Sequence, residues 1–200
     1  KQMDDGYIKF QLDWKKGGAP TSSGLDNLIH WRDRMFTLGL IGYDAKYKVG
    51  FGNISIRTND QQHFIISGTQ TGHLPHLEPS HFTEVTSYSI ADNELCCVGP
   101  VKASSESLTH AAIYEVDPDI RAVIHIHHDE QWEAWLHKVP TTHENIPYGT
   151  PEMADEIHRL FHETPREELK VIAMAGHQGG LIAFGKTLEE AAEPFLAVFG

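Results

Sequence analysis

Between residues 25 and 40 the apolar side chains Leu28, Ile29, Met35, Phe36 and Leu40 recur at helical spacing, and the run stops at Gly39 to Gly42. That pattern predicts a helix closed by glycine. Shorter apolar stretches at Gly52–Arg57 and His63–Ser67 flank the polar turn Asn59-Asp60-Gln61-Gln62 and predict two strands. A second pair is expected at Val85–Ile90 and Glu94–Val98, turning at Asp92-Asn93. Ser105–Val116 reads as a helix that starts at Ser104-Ser105 and ends before Asp117-Pro118. Ala122–His127 has the pattern of a buried strand, and Asp129–His137 that of a short helix. Thr150 as N-cap and Pro151 in the first position open an amphipathic helix over Met153 to Phe161. Val171–Ala175 and Leu181–Phe184 are the last strands. Thr187 then caps a final helix whose first turn carries Glu189 and Glu190, favourable to its dipole. Ser67 to Pro79 is a loop rich in Gly, Thr, His and Pro. No repeat, low-complexity tract or linker divides the chain. Residues 1–23 read as an N-terminal arm, exposed at Lys15 to Pro20, and residues 24–200 as one mixed α/β domain.

Composition narrows the class. Two hundred residues at 40% hydrophobic content support one domain with a real core. No apolar run approaches the roughly 20 residues that span a bilayer. Lys1 to Asp5 contain no signal-peptide stretch, while the missing initiator Met leaves an upstream segment open. A net charge of −12 repels nucleic acid and anionic membranes. Cys96 and Cys97 are adjacent and cannot staple a distant loop, so a reducing cytoplasm is the expected location. The histidine count stands apart: there are 14, and they cluster.

His125-Ile126-His127 is the strongest local signal, because residues i and i+2 of a strand share a face and both imidazoles can converge on one ion. Glu106 follows Ser104-Ser105 at a helix start. His177 lies in Ala175-Gly176-His177-Gln178-Gly179-Gly180, between two strands where crowding favours glycine. Three imidazoles and one carboxylate would form a catalytic-type site for Zn²⁺ or another divalent ion. Ser104-Ser105 is open to two readings, a plain cap or an anion site at a helix start. Two other metal folds fail. A metallo-β-lactamase motif would need His at position 130, where Glu130 stands, and a cupin would need a differently spaced Glu. His128, Asp129 and Glu130 are expected to be solvated or to stand beside the site, and not to be ligands. His158 and His162 read as an exposed helix face, since Arg159 occupies the place of a metalloprotease glutamate. His73, His76 and His81 are expected as loop residues, and Trp132 and Trp135 as anchors of their helix.

The sequence resembles the class II aldolase/adducin family typified by fuculose-phosphate aldolase. The resemblance runs through Gly52-Asn53-Ile54-Ser55, Ser104-Ser105-Glu106, His110 with Ile113-Tyr114, and Pro118. It continues through Ala122 to His127, Tyr148-Gly149-Thr150-Pro151-Glu152, Gly176-His177, and Gly185-Lys186-Thr187-Leu188-Glu189-Glu190-Ala191. It implies a three-layer α/β/α domain with a central, mainly antiparallel sheet, assembled as a homotetramer with active sites at subunit interfaces. It implies His125, His127 and His177 as zinc ligands, and Glu106 as a further ligand that becomes the base once substrate displaces it. Asn53, Ser104 and Ser105 match positions that hold the substrate phosphate. The implied activity is that of a lyase in carbohydrate metabolism, an aldolase that stabilises an enediolate. Glu106 leans toward the aldolases, because the epimerase branch tends to carry Asp there.

Three departures qualify the match. The phosphate loop offers two registers, Ser67-Gly68 or Thr71-Gly72. The segment from His127 to Tyr148 is short and lacks the tyrosine that acts as proton donor in fuculose-phosphate aldolase, leaving His143 or Glu144 near that place. The sequence stops at Gly200, without the tail tyrosine of some relatives. Lys102 and Arg57 are the candidates for positive charge beside an anionic substrate. The competing readings are a sugar-phosphate dehydratase or epimerase on the same scaffold, and a catalytically silent, adducin-like assembly module.

Overall fold

The structure, a computed structural model, describes residues 7–59 and 61–200. Residues 1–6, which open the expected arm, and Asp60 of the expected turn lie outside the described residues. The elements run β1 (Gln11–Lys16), α1 (Leu25–Thr37), β2 (Gly42–Asp44), β3 (Val49–Phe51), β4 (Asn53–Arg57), β5 (Phe64–Ser67), β6 (Phe82–Ser89) and β7 (Glu94–Gly99). They continue as α2 (Ser107–Val116), β8 (Ala122–His127), α3 (Asp129–Trp135), α4 (Pro151–Glu163), β9 (Val171–Ala173), β10 (Gly180–Gly185) and α5 (Leu188–Phe199). A 3₁₀ turn at Pro79–His81 leads into β6. Among the described residues no helix is long and apolar enough to cross a membrane.

Eight strands form one sheet in the order β1-β7-β6-β5-β4-β8-β10-β9, and β2 and β3 form a separate hairpin. The sheet is mixed. β1 runs parallel to β7, from Gln11 opposite Glu94 to Lys16 opposite Gly99, while the other neighbouring pairs are antiparallel. The segment expected as an arm therefore supplies an edge strand. Leu12 and Trp14 pack on the core while Gln11, Asp13 and Lys15 face water, and Lys15 and Lys16 keep that edge unattractive to another strand.

Alternation along the central strands divides the interior into two cores. On β8, Val123 joins one cluster while Ala122, Ile124 and Ile126 join the other. On β10, Ile182 and Phe184 are set against Leu181 and Ala183 in the same way. Helices α2 and α4 complete the first core through Leu108, Ala111, Ala112, Ile157 and Leu160. Helices α1 and α5 complete the second through Leu28, Met35, Ala191 and Phe195. Each fully buried Leu, Ile or Phe in these clusters contributes about 1.5–3 kcal/mol by leaving water. The same alternation decides the chemistry: His125 and His127 share the parity of Val123, so they face the side on which α2 packs.

Candidate metal centre

Four side chains converge where β8 meets the start of α2. Glu106 is the N-cap residue of α2, which begins two residues later than the sequence pattern predicts. His125 and His127 come from β8, and His177 from the loop between β9 and β10. That loop passes tightly under Ile146: a Cβ on Gly176 would sit 2.2 Å from the Ile146 carbonyl oxygen. Glu106 Oε2 lies 2.8 Å from His125 Nε2, and Glu106 Oε1 lies 3.6 Å from His177 Nε2. His125 Nε2 is 3.1 Å from His127 Nε2. One ligand atom from each of the four residues lies within 4.8 Å of the others.

The donor set fits a divalent cation. His125 Nδ1 lies 3.0 Å from the Leu181 carbonyl oxygen, which can only accept, so Nδ1 carries a proton, and in the neutral ring that a metal requires Nε2 presents its lone pair. That lone pair faces a carboxylate oxygen and a second ring nitrogen, an arrangement of acceptors that a cation reconciles. Burial pushes the Glu106 carboxyl up, but the imidazoles of His125, His177 and His127 outweigh it and hold the group well below the usual carboxylate range. Burial lowers His127 well below its ordinary value, reinforced by His177 and His125. Burial likewise pushes His177 down to about 4, against the attraction of Glu106. At neutral pH the cluster is thus an ionised carboxylate with neutral His127 and His177, the state that binds metal. Glu106 Oε1 is buried and accepts no hydrogen bond. An orphan acceptor of that kind costs about 1–3 kcal/mol unless something else satisfies it.

Glu106 and His127 line a pocket of about 890 Å³. Of the residues expected to hold a phosphate, Asn53, Gly68, Thr71, Gly72, Ser104 and Ser105 line it as well. Ser67 is not among the lining residues: its Oγ accepts from the Ile54 N–H at 3.2 Å. Glycines of both loop registers therefore reach the pocket, but only Thr71 brings its hydroxyl-bearing residue with it, and that hydroxyl donates to the Gly68 carbonyl at 2.8 Å. Ser104 also serves the turn, its Oγ accepting from the Glu106 N–H at 3.4 Å.

The expected sources of positive charge lie elsewhere. Arg57 donates to the Ile120 carbonyl at 2.9 Å and to the Asp117 carbonyl at 3.3 Å, fastening the end of α2. Lys102 stands over the Trp14 ring. Lys46 and Lys48 on the β2–β3 hairpin line the pocket instead, with Tyr43 and Tyr47. His143 is tied by its backbone N–H to Glu156 Oε2 at 2.7 Å, and neither it nor Glu144 lines the pocket, whereas Tyr7, Tyr43 and Tyr47 do. His128 caps α3, its Nδ1 accepting from the Gln131 N–H at 3.2 Å. His158 and His162 are exposed, as expected.

The comparisons with known proteins agree with this frame. Among curated proteins, the 3-oxo-tetronate 4-phosphate decarboxylase of Haemophilus influenzae is 31% identical over 98 residues, an alignment covering 48% of this chain and 42% of that one. This chain thus matches less than half the length of that relative. Among solved structures, an L-fuculose 1-phosphate aldolase superposes with a TM-score of 0.64 at 20% identity, covering 88% of this chain and 81% of that one. The sugar-phosphate aldolase of Thermotoga maritima gives 0.61 at 16% identity, covering 86% of this chain and 93% of its own. At those identities the likeness is one of fold. The sequence profile of the family described as Class II Aldolase and Adducin N-terminal domain matches residues 43–198, most of the chain, and it is to that family that the protein belongs.

Proposed function

We propose that the protein is a divalent-metal-dependent lyase, using zinc or a similar ion, that breaks a C–C bond in a small phosphorylated hydroxy-carbonyl compound of the sugar class. The observation that carries this reading is the buried Glu106, His125, His127 and His177 cluster, two of whose members, Glu106 and His127, line the pocket, with one Glu106 oxygen that accepts no hydrogen bond. His125, His127 and His177 would hold the ion, with Glu106 completing the set. When bound, such an ion supplies Lewis-acid polarisation of neighbouring substrate oxygens. The remaining steps belong to the chain. Glu106 Oε1 takes the proton from the hydroxyl beside the breaking bond. The electron pair of that bond passes to the carbonyl fragment, and the proton returns from Oε1 to the carbon that lost its partner. Asn53, Ser104, Ser105 and the Gly68–Gly72 loop would seat the phosphate, with Lys46 and Lys48 offsetting its charge in a chain of net charge −12. The three-layer frame and the homotetramer belong to the same reading.

The decarboxylase relative favours a second reading, loss of CO₂ from a phosphorylated 3-oxo acid, in which the C–C electron pair passes to the carbonyl fragment and the carbon that loses carboxylate takes a proton from water, relayed by Glu106. One experiment separates the two. Metal-loaded protein is incubated with a phosphorylated ketose and, separately, with 3-oxo-tetronate 4-phosphate, while aldehyde and CO₂ are both measured. Aldehyde release supports the aldolase, and CO₂ release the decarboxylase. Glu106→Gln should abolish either activity, a fall of at least roughly 100-fold for loss of an acid–base group, while the ion is retained. A protein that binds no metal and turns over neither compound would leave the silent assembly module in front.

A further inference from the structure

From the pocket wall at Asn53 and Glu106 a line of polar side chains runs back across the apolar interface between β4 and α2. Tyr114 Oη lies 2.7 Å from Ser55 Oγ, and Ser55 Oγ lies 2.6 Å from His110 Nδ1. His110 Nε2 bonds Asn53 Oδ1, and Asn53 Nδ2 donates to Glu106 Oε2 at 2.9 Å. All five residues are buried, Ser55 and His110 completely. The ladder follows from matched repeats. Glu106, His110 and Tyr114 are four residues apart on α2, about 6 Å of helix rise per step. Asn53 and Ser55 are two apart on β4, about 6.6 Å of strand per step. One helix stripe and one strand face therefore mesh rung by rung.

The chemistry of the rungs fixes the direction of every bond. An ionised Glu106 can only accept, so Asn53 must turn its NH₂ toward it. Asn53 Oδ1 then faces His110 and can only accept, so His110 Nε2 carries the proton. Burial keeps His110 neutral, its pKa pushed down to about 3 against the pull of Glu106. Nδ1 is therefore bare and accepts from the Ser55 hydroxyl. Ser55 Oγ, its proton spent, accepts from Tyr114. Four residues thus donate in one sense toward a single carboxylate oxygen, Oε2, and leave Oε1 as the oxygen free of hydrogen bonds.

We infer that His110 is a positioning residue for the proton-transfer step: as its Nε2–H tautomer it holds the Asn53 amide one way round, ties Glu106 through Oε2 and reserves Oε1 for reaction. Ser55 and Tyr114 lock that tautomer from behind. This rests on the reading of Glu106 as the acid–base group, and the test separates the two claims. In zinc-loaded protein labelled with ¹⁵N-histidine, long-range ¹H–¹⁵N spectra at pH 7 should show His110, assigned by the signal missing from His110→Gln, with a protonated Nε2 and a bare Nδ1. Tyr114→Phe, which leaves Ser55 without its donor, should shift the Nδ1 resonance. Finding the proton on Nδ1 overturns the inference whether or not the protein is a lyase.

Turnover supplies the second arm. His110→Leu should lower kcat roughly 100-fold with KM within about twofold, and His110→Gln, which can still donate to Asn53 and accept from Ser55, should recover most of the loss. Metal content should stay at one ion per chain in both variants. A His110→Leu protein with wild-type kcat overturns the inference. If His110→Leu does not fold, the tautomer and the Tyr114→Phe shift still decide it. Full activity in Glu106→Gln would sink the lyase mechanism instead and leave the tautomer assignment standing.

Discussion

At the scale of single residues the site depends on backbone proximity as much as on its ligands. Gly176 precedes His177, and a Cβ there would meet the Ile146 carbonyl oxygen at 2.2 Å and the Glu144 carbonyl oxygen at 2.9 Å. Both obstacles are main chain, which cannot swing aside as a long side chain would. Gly176→Ala should therefore displace the loop that carries His177. The expected outcome is a loss of about 1–3 kcal/mol, typical of forced overpacking, and metal content below one ion per chain, read by thermal unfolding and elemental analysis. An alanine variant with wild-type melting and a full metal complement would show that the loop is not held by this contact. The cluster of Glu106 and three histidines was legible in the sequence for a related reason. His125 and His127 alternate along an apolar run, and His177 sits among glycines, so local pattern announced both. The Asn53 to Tyr114 ladder left a fainter trace, a lone histidine on an otherwise apolar helix face, and its meaning needed the partner strand.

At the scale of elements, what the pattern revealed and what it missed divide along the range of the forces involved. Strand β8 and helices α1 and α4 carry their own periodicity and lie close to where hydrophobic spacing puts them. The hairpin β2–β3 does not, because three residues per strand are too few to show alternation. Strand β1 does alternate, but its parallel pairing with β7 joins residues more than 80 positions apart and leaves no local mark. The hairpin is the costlier omission, since it brings Lys46 and Lys48 to the pocket while Arg57 and Lys102 are occupied elsewhere. Replacing both hairpin lysines by Gln should raise KM for a phosphorylated substrate roughly tenfold, with kcat little changed. The difference from wild type should shrink as salt is added, since exposed charges are screened beyond about 10 Å at 0.1 M. A KM insensitive to both the substitution and salt would assign anion recognition to the Ser104 side of the pocket alone.

At the scale of the whole molecule, the cluster joins three parts of the chain that the cores hold in place independently. Glu106 starts α2, the His125 and His127 pair closes β8, and His177 hangs from the β9–β10 connection. Two large apolar clusters lie on alternate faces of the central strands, so the frame does not need an ion to fold. An ion that binds the folded chain and not the unfolded one nevertheless adds stability, about 2.7 kcal/mol at a free concentration 100 times its Kd. For a chain of this length each kcal/mol moves Tm by about 2–4 °C. Removing metal with a chelator should therefore lower Tm by roughly 5–10 °C with far-ultraviolet circular dichroism unchanged at 25 °C, and adding zinc back should restore it. His127→Ala should melt near the stripped wild type and respond little to zinc, because one of the converging imidazoles is gone. A wild-type Tm indifferent to chelator and zinc alike would mean that the cluster holds no ion. The lyase mechanism would then lose its foundation.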